Sequence, residues 1–165
     1  MSIKTEDLFS EYLNKKEKSD LVKRALIDKS FKKAYEKENK TPYPDKDNSD
    51  LATYGDAVIK LSYLDIFLDQ EKKLTIKKSE YESDKYLVKV VAKYYDLLKY
   101  IKKDDNDQNK PNDYNYEHKK NKNPHKYIAT AVEAMIGAIY IDENKNIDPI
   151  IPLLKKWISL GSSNE

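Results

Sequence analysis

Residues 129–142 read ATAVEAMIGAIYID, a nearly unbroken apolar run in a chain that is otherwise rich in charge, 36% Asp, Glu, Lys and Arg. Its alanines, methionine and isoleucines suit a helix, and a helix apolar on almost every side belongs at the centre of a bundle. Two residues fit that setting poorly. Gly137 costs a helix interior about 1 kcal/mol relative to alanine, so it needs a packing reason such as the close approach of a second helix. Glu133, one turn earlier, has Ala129, Thr130, Ile136 and Gly137 as its helical neighbours. None of them compensates an ionised carboxylate, which must find a partner, bind a metal or stay protonated. The apolar stretch from Tyr127 to Ile141 is shorter than the roughly 20 residues a bilayer requires, and no membrane span is expected.

Working outward, residues 48–60 read NSDLATYGDAVIK. A long helix is expected from near Asp50 to near Gln70, with Leu51, Tyr54, Val58, Leu61, Leu64 and Phe67 facing a core. Gly55 lies inside it and is the natural partner for Gly137. Asp56 directly follows Gly55, so the pairing of the two glycines makes two carboxylates converge, Asp56 and Glu133. Asp56 has a simpler alternative in an exposed ion pair with Lys60, four residues on. For Glu133 the alternatives are a tertiary salt bridge to a lysine or a hydrogen bond from a buried tyrosine. Two carboxylates without His or Cys suit a hard divalent cation that keeps several waters, above all magnesium. Such a cation works typically on phosphate esters.

The rest of the chain also has helical spacing. Thr5 is expected to cap a first helix carrying Leu8, Phe9, Tyr12 and Leu13, and Ser19 a second carrying Leu21, Val22, Ala25 and Leu26. Phe31, Ala34 and Tyr35 precede a loop at Thr41 to Pro44. Residues 75–101 hold one or two helices, the later with Tyr86, Leu87, Val90, Val91, Tyr94, Leu97, Leu98 and Ile101. Residues 102–124 contain no Ala, Val, Leu, Ile or Met, and a flexible loop is expected at about 102–124. Its Asp104, Asp105 and Asp107 lack the glycine and the terminal glutamate of a calcium loop. An amphipathic helix over Ile147 to Leu160 closes the chain. With three glycines and no alternating runs, the expectation is an all-α fold in a single domain over 1–165.

Cysteine is absent, which excludes disulfides, thiolate zinc sites, iron–sulfur clusters and cysteine nucleophiles. The net charge of +2, from 31 Lys+Arg against 29 Asp+Glu, does not by itself announce a nucleic-acid binder. The lysine excess is local. Lys72, Lys73, Lys77 and Lys78 precede the middle helices, while Lys119, Lys120, Lys122, His125 and Lys126 flank the last buried helix. Such lysines either engage phosphates by charge alone or form a solvated surface. Tyr114 and Tyr116 either stack on an unpaired base or fill the loop. The charged N-terminal residues lack the apolar core of a signal peptide, and a cytoplasmic protein is expected.

The block at 48–60, above all YGDAV, resembles the signature of the ribonuclease III catalytic domain, and EAMIGAIYID resembles that family's other acidic helix. LVKRALIDKSF at 21–31 is similar to the family's early helix, so the resemblance spans about residues 5–160. It implies an all-α endonuclease domain, a homodimer, double-stranded RNA as substrate and magnesium as cofactor, with manganese able to substitute. Four acids usually form the metal site. They map onto Ala52, Asp56, Thr130 and Glu133, and only Asp56 and Glu133 are acids here. The acid that usually opens the signature is replaced by Ser49.

The resemblance therefore implies catalytic and metal-holding roles for Asp56 and Glu133. RNA contacts are expected from Lys78, Lys119, Lys120, Lys122 and Lys126. The function expected is a metal-dependent endoribonuclease cutting double-stranded or structured RNA, such as a ribosomal precursor. The small Mini-III branch similarly has alanine and threonine-like residues at the two lost positions and no RNA-binding appendage. The alternatives are a catalytically degenerate RNA-binding or scaffold protein of the same fold, and a helical adaptor dimerising through Tyr63, Phe67 and Tyr94.

Overall fold

The computed structural model describes residues 6–68, 74–117 and 122–162. Its helices are α1 (Leu8–Asn14), α2 (Asp20–Ala25), α3 (Lys29–Asn39), α4 (Ser49–Phe67), α5 (Leu74–Glu82), α6 (Asp84–Tyr86), α7 (Lys93–Tyr95), α8 (Lys126–Asp142) and α9 (Ile150–Ser162). A π-helical stretch, Leu87–Ala92, joins α6 to α7, and a 3-10 turn follows at Leu97–Lys99. The fold is all-helical, as expected. Among the described residues there is no strand, only an isolated parallel bridge between Ile27 and Lys102.

Local sequence sets several helix starts. Asp7, Ser19, Asp28 and Ser83 each accept a backbone N–H of the following turn, from Ser10, Val22, Ser30 and Tyr86. Each such cap contributes about 1 kcal/mol. Asp7 thus takes the capping role expected of Thr5, which lies outside the described residues.

α8 is the central element. Eleven of its 17 residues are buried, covering more than one face, so other helices must surround it. α4 packs along it most extensively, and α2, α1 and the π-helical stretch also lie against it. Tyr12 donates its hydroxyl to Glu143 (2.9 Å) and Ser19 to Asp142 (2.5 Å), fastening α1 and the start of α2 to the C-terminal end of α8. α9 buries Ile150, Leu153, Leu154 and Trp157 against the same core. Each large apolar side chain fully removed from water contributes roughly 1.5–3 kcal/mol.

Three expectations about packing need correction. On α4, Tyr54 and Leu61 are 42% and 53% exposed. The buried stripe runs instead through Leu51, Ala52, Gly55, Val58, Ile59 and Tyr63, because α8 docks against the Gly55 face. Tyr63 and Phe67 are buried within this chain, so they offer no face to an adaptor's partner. The later segment of 75–101 is not a regular α-helix. The π-helical turn there shifts the buried set to Leu87, Val88, Val91 and Ala92, since its i to i+5 bonding changes the angular step per residue.

The described residues between 100 and 125 carry no helix yet are fastened at several points. Tyr114 accepts the N–H of Leu98 (3.0 Å) and donates to Asp96 (3.0 Å). Tyr127 donates to the Pro111 carbonyl (2.6 Å), and the Lys110 ammonium stands 3.3 Å from the buried Asp28 carboxylate. No helix among the described residues is long and apolar enough to cross a membrane.

Candidate active site

α4 and α8 touch at backbone distance. A Cβ placed on Gly55 would stand 1.7 Å from the Glu133 carbonyl oxygen, and one on Gly137 would stand 2.3 Å from the Leu51 carbonyl oxygen. No side chain fits at either position, which explains two glycines inside buried helices. The pairing sets Asp56, directly after Gly55, beside the turn of α8 that carries Glu133.

Both acids line a cleft of about 1490 Å³. One wall consists of the N-terminal halves of α4 and α8, with Ala52 and Thr130 alongside the two acids, and another of residues 107–117. The ends of α5 and α6 contribute Glu82 and Asp84. Eight carboxylates and five lysines line this cleft, so its wall is acidic on balance.

Asp56 accepts from Lys60 Nζ at 2.7 Å, and both side chains are partly exposed. The ion pair read from the sequence is therefore present, and its hydrogen bond holds the Lys60 ammonium above its ordinary pKa. Glu133 differs. It accepts no hydrogen bond and joins no ion pair among the described residues. Burial pushes its pKa up from 4.5 to about 7, and the negative charges of Asp56 and Asp84 push the same way. Lys126 and Lys60 offset this in part. The salt bridge and the tyrosine hydrogen bond considered for Glu133 are both absent among the described residues.

Lys126 Nζ lies 3.1 Å from Asp84, which also accepts from Asn123 Nδ2 at 3.1 Å. Lys126 and Lys122 both line the cleft. Lys78 is placed differently: it is paired with Glu82 at 2.9 Å, with both side chains mostly buried. Lys72, Lys73, Lys119 and Lys120 lie outside the described residues. Tyr114 and Tyr116 are engaged within the fold, Tyr116 accepting from Asn123 (3.1 Å). His125 is buried, with Nε2 2.8 Å from Asp113.

Asp84 is the acid that sequence reasoning passed over. Following Ser83 in Glu-Ser-Asp, it reads as ordinary helix-start chemistry. Nothing local signals that α6 places its charge on the same cleft as Glu133. Among the described residues no three His, Cys, Asp or Glu side chains come close enough together to hold a metal ion.

Comparison with curated proteins returns no match. Among solved structures, the nuclease domain of ribonuclease III from Campylobacter jejuni is similar at 23% identity with a TM-score of 0.61, over 90% of this chain and 92% of that one. At that identity the likeness concerns the fold, and both chains share the all-helical architecture. The ribonuclease III domain family matches residues 49–144, from the first turn of α4 to just past α8. That span is more than half of the chain and contains both glycines and both acids of the helix pair. The chain belongs to the ribonuclease III domain family.

Proposed function

We propose that the protein is a divalent-metal-dependent endoribonuclease acting on double-stranded or structured RNA, working as a homodimer. The observation that carries this reading is Glu133: a largely buried carboxylate, unpaired among the described residues, beside Asp56 on the wall of a large cleft. Maintaining such a group costs stability unless a cation compensates it. The donor set fits magnesium, which is held by one or two carboxylates together with waters and substrate phosphate oxygens. Manganese has the same oxygen preference.

When bound, the cation supplies charge neutralisation at the phosphate and an acidified water. The chain's own residues do the rest. Asp56 and Glu133 would hold the cation, Glu133 in its ionised form. Lys60, already at Asp56, and Lys126, held by Asp84, stand where phosphate oxygens approach. Lys122 adds a further ammonium at the rim. Family membership supports 5′-phosphate and 3′-hydroxyl products and a second copy supplying the second cut.

The absence of acids at Ala52 and Thr130 supports placing the chain near the Mini-III branch, where two acids suffice. The same absence favours the competing reading, a degenerate fold that binds RNA without cutting it. Incubating the protein with duplex RNA, single-stranded RNA and DNA, with magnesium or with chelator, separates the two. Duplex-selective, metal-dependent cleavage that disappears in Asp56→Asn and Glu133→Gln supports the enzyme. Duplex binding without cleavage supports the scaffold, and neither binding nor cleavage overturns both.

A further inference from the structure

α3 gives the core nothing: none of its 11 residues is buried. It is held by one side. Ser30 Oγ accepts the N–H of Asp104 (3.1 Å), and Phe31 and Tyr35 meet the Tyr43 ring edge-on. At about 100° per residue, Lys29, Lys33, Lys37 and Lys40 fall within an arc of roughly 80° on the opposite side, and all four are exposed.

Like charges one turn apart repel and weaken a helix, so such a stripe is unfavourable unless an anion answers it. The acid on that face, Glu36, accepts the N–H of Tyr43 (3.1 Å) and is engaged with the loop. None of the four lysines forms an ion pair among the described residues. Lys29, with Lys32, acts at a distance on Asp47.

The cleft shows the contrast. Lys60, Lys126 and Lys110 are matched there by Asp56, Asp84 and Asp28, and the lining is acidic on balance. A polyanion entering it gains little net attraction from the walls, so the attraction must come from a neighbouring surface. Lys29 lines the cleft, and the stripe runs away from it along α3 for roughly 16 Å.

We infer that the Lys29–Lys33–Lys37–Lys40 face of α3 is a phosphate-tracking surface that binds the RNA duplex beyond the cleft. It supplies the electrostatic attraction that the cleft's paired lysines lack. The inference rests on the duplex-RNA reading above and adds the residues that hold the flank of the substrate. Contacts of this kind follow backbone shape and do not read sequence.

The test is duplex RNA binding in chelator, where cleavage is not expected, across a salt series. It compares the wild type with a Lys33→Ala, Lys37→Ala, Lys40→Asn triple variant. Asparagine is chosen at Lys40 because that residue is left-handed at φ 53. Lys29 is left intact because it belongs to the cleft. A long duplex should lose about tenfold or more in affinity, and the slope of log K against log salt should fall by about one per lysine removed. A short duplex that fills only the cleft should bind both proteins alike, and the melting temperature should hold or rise. A wild type that binds duplex RNA while the variant matches it in affinity and slope overturns this inference alone. A wild type that binds no duplex RNA overturns the parent reading and this one with it. Unchanged RNA binding with lost binding to polyglutamate would make the face a site for an acidic protein, which also overturns it.

Discussion

The carbonyl oxygen of Glu133 occupies the space where a side chain on Gly55 would begin, 1.7 Å from an ideal Cβ. Helix propensity alone makes Gly55→Ala stabilising by about 1 kcal/mol. Here the added methyl meets backbone, which has no rotamer to yield, so α4 and α8 must separate. We expect a net loss of about 2 kcal/mol or more, seen as a lower melting temperature, together with weaker magnesium-dependent activity. A rise in melting temperature would show that the helices are not in contact there.

Glu133→Gln should leave the protein folded and remove cleavage. In chelator at pH 8 it should be at least as stable as wild type, because it removes a buried charge that nothing pairs. Added magnesium should stabilise wild type and leave the variant unmoved. A loss of about 3 kcal/mol in chelator would instead reveal a stranded cation and a structural ion pair.

The pH dependence of metal-free stability follows from two acids with opposite shifts. The pKa of Glu133 is raised from 4.5 to about 7, so the folded state holds a proton that the unfolded chain has released, and stability falls as pH rises through that window. At Asp7 burial opposes the charge, but hydrogen bonds from Lys156, Ser10 and Tyr95 more than offset it and hold the carboxyl below 3.8. That contribution is present above 3.8 and disappears as pH falls below it. Urea titrations in chelator should therefore give greatest stability near pH 4–5. Asp56→Asn should move the upper limb downward, since the Asp56 charge helps raise Glu133.

Asp28 is buried at 3% exposure, caps α3 through the Ser30 N–H and faces Lys110. Asp28→Ala removes a cap worth about 1 kcal/mol and leaves Lys110 unanswered. A loss of about 2 kcal/mol is expected, with faster limited proteolysis between Asp104 and Asn115. Unchanged proteolysis would mean the segment is held by its tyrosines alone.

The dimer reading predicts a sedimenting mass of about twice 19.3 kDa. Tyr54, Leu61 and Leu68, the last capping the C-terminal end of α4, are 42%, 53% and 68% exposed and recur every seven residues along one side. If a second copy covers that side, Leu61→Glu should yield a folded monomer with impaired duplex cleavage. A dimer indifferent to Leu61→Glu would place the interface elsewhere.

The all-helical class, the helix pair and its two glycines were legible because each glycine breaks a local rule that only packing explains. The Asp56–Lys60 pair was legible for the same reason that it is common: four-residue spacing on one helix. Asp84 was not, because its charge acts on Glu133 across the cleft from a three-residue helix with an ordinary start signal. The solvent exposure of Tyr54 and Leu61 escaped because periodicity gives a helix's apolar residues but not which side a neighbour takes. The π-helical turn at Leu87–Ala92 left no mark that composition or spacing reads.

One carboxylate near the beginning of the chain fastens its end. Asp7 Oδ2 receives the Lys156 ammonium (2.6 Å) and the Tyr95 hydroxyl (2.7 Å), and that hydroxyl in turn accepts the Trp157 indole N–H (3.0 Å). Tension applied between the two ends of the polypeptide would thus load α1 against α9 at this knot before it reaches α4 and α8. In a pulling experiment the knot should give way first, with the glycine-paired helices yielding in a later, separate event.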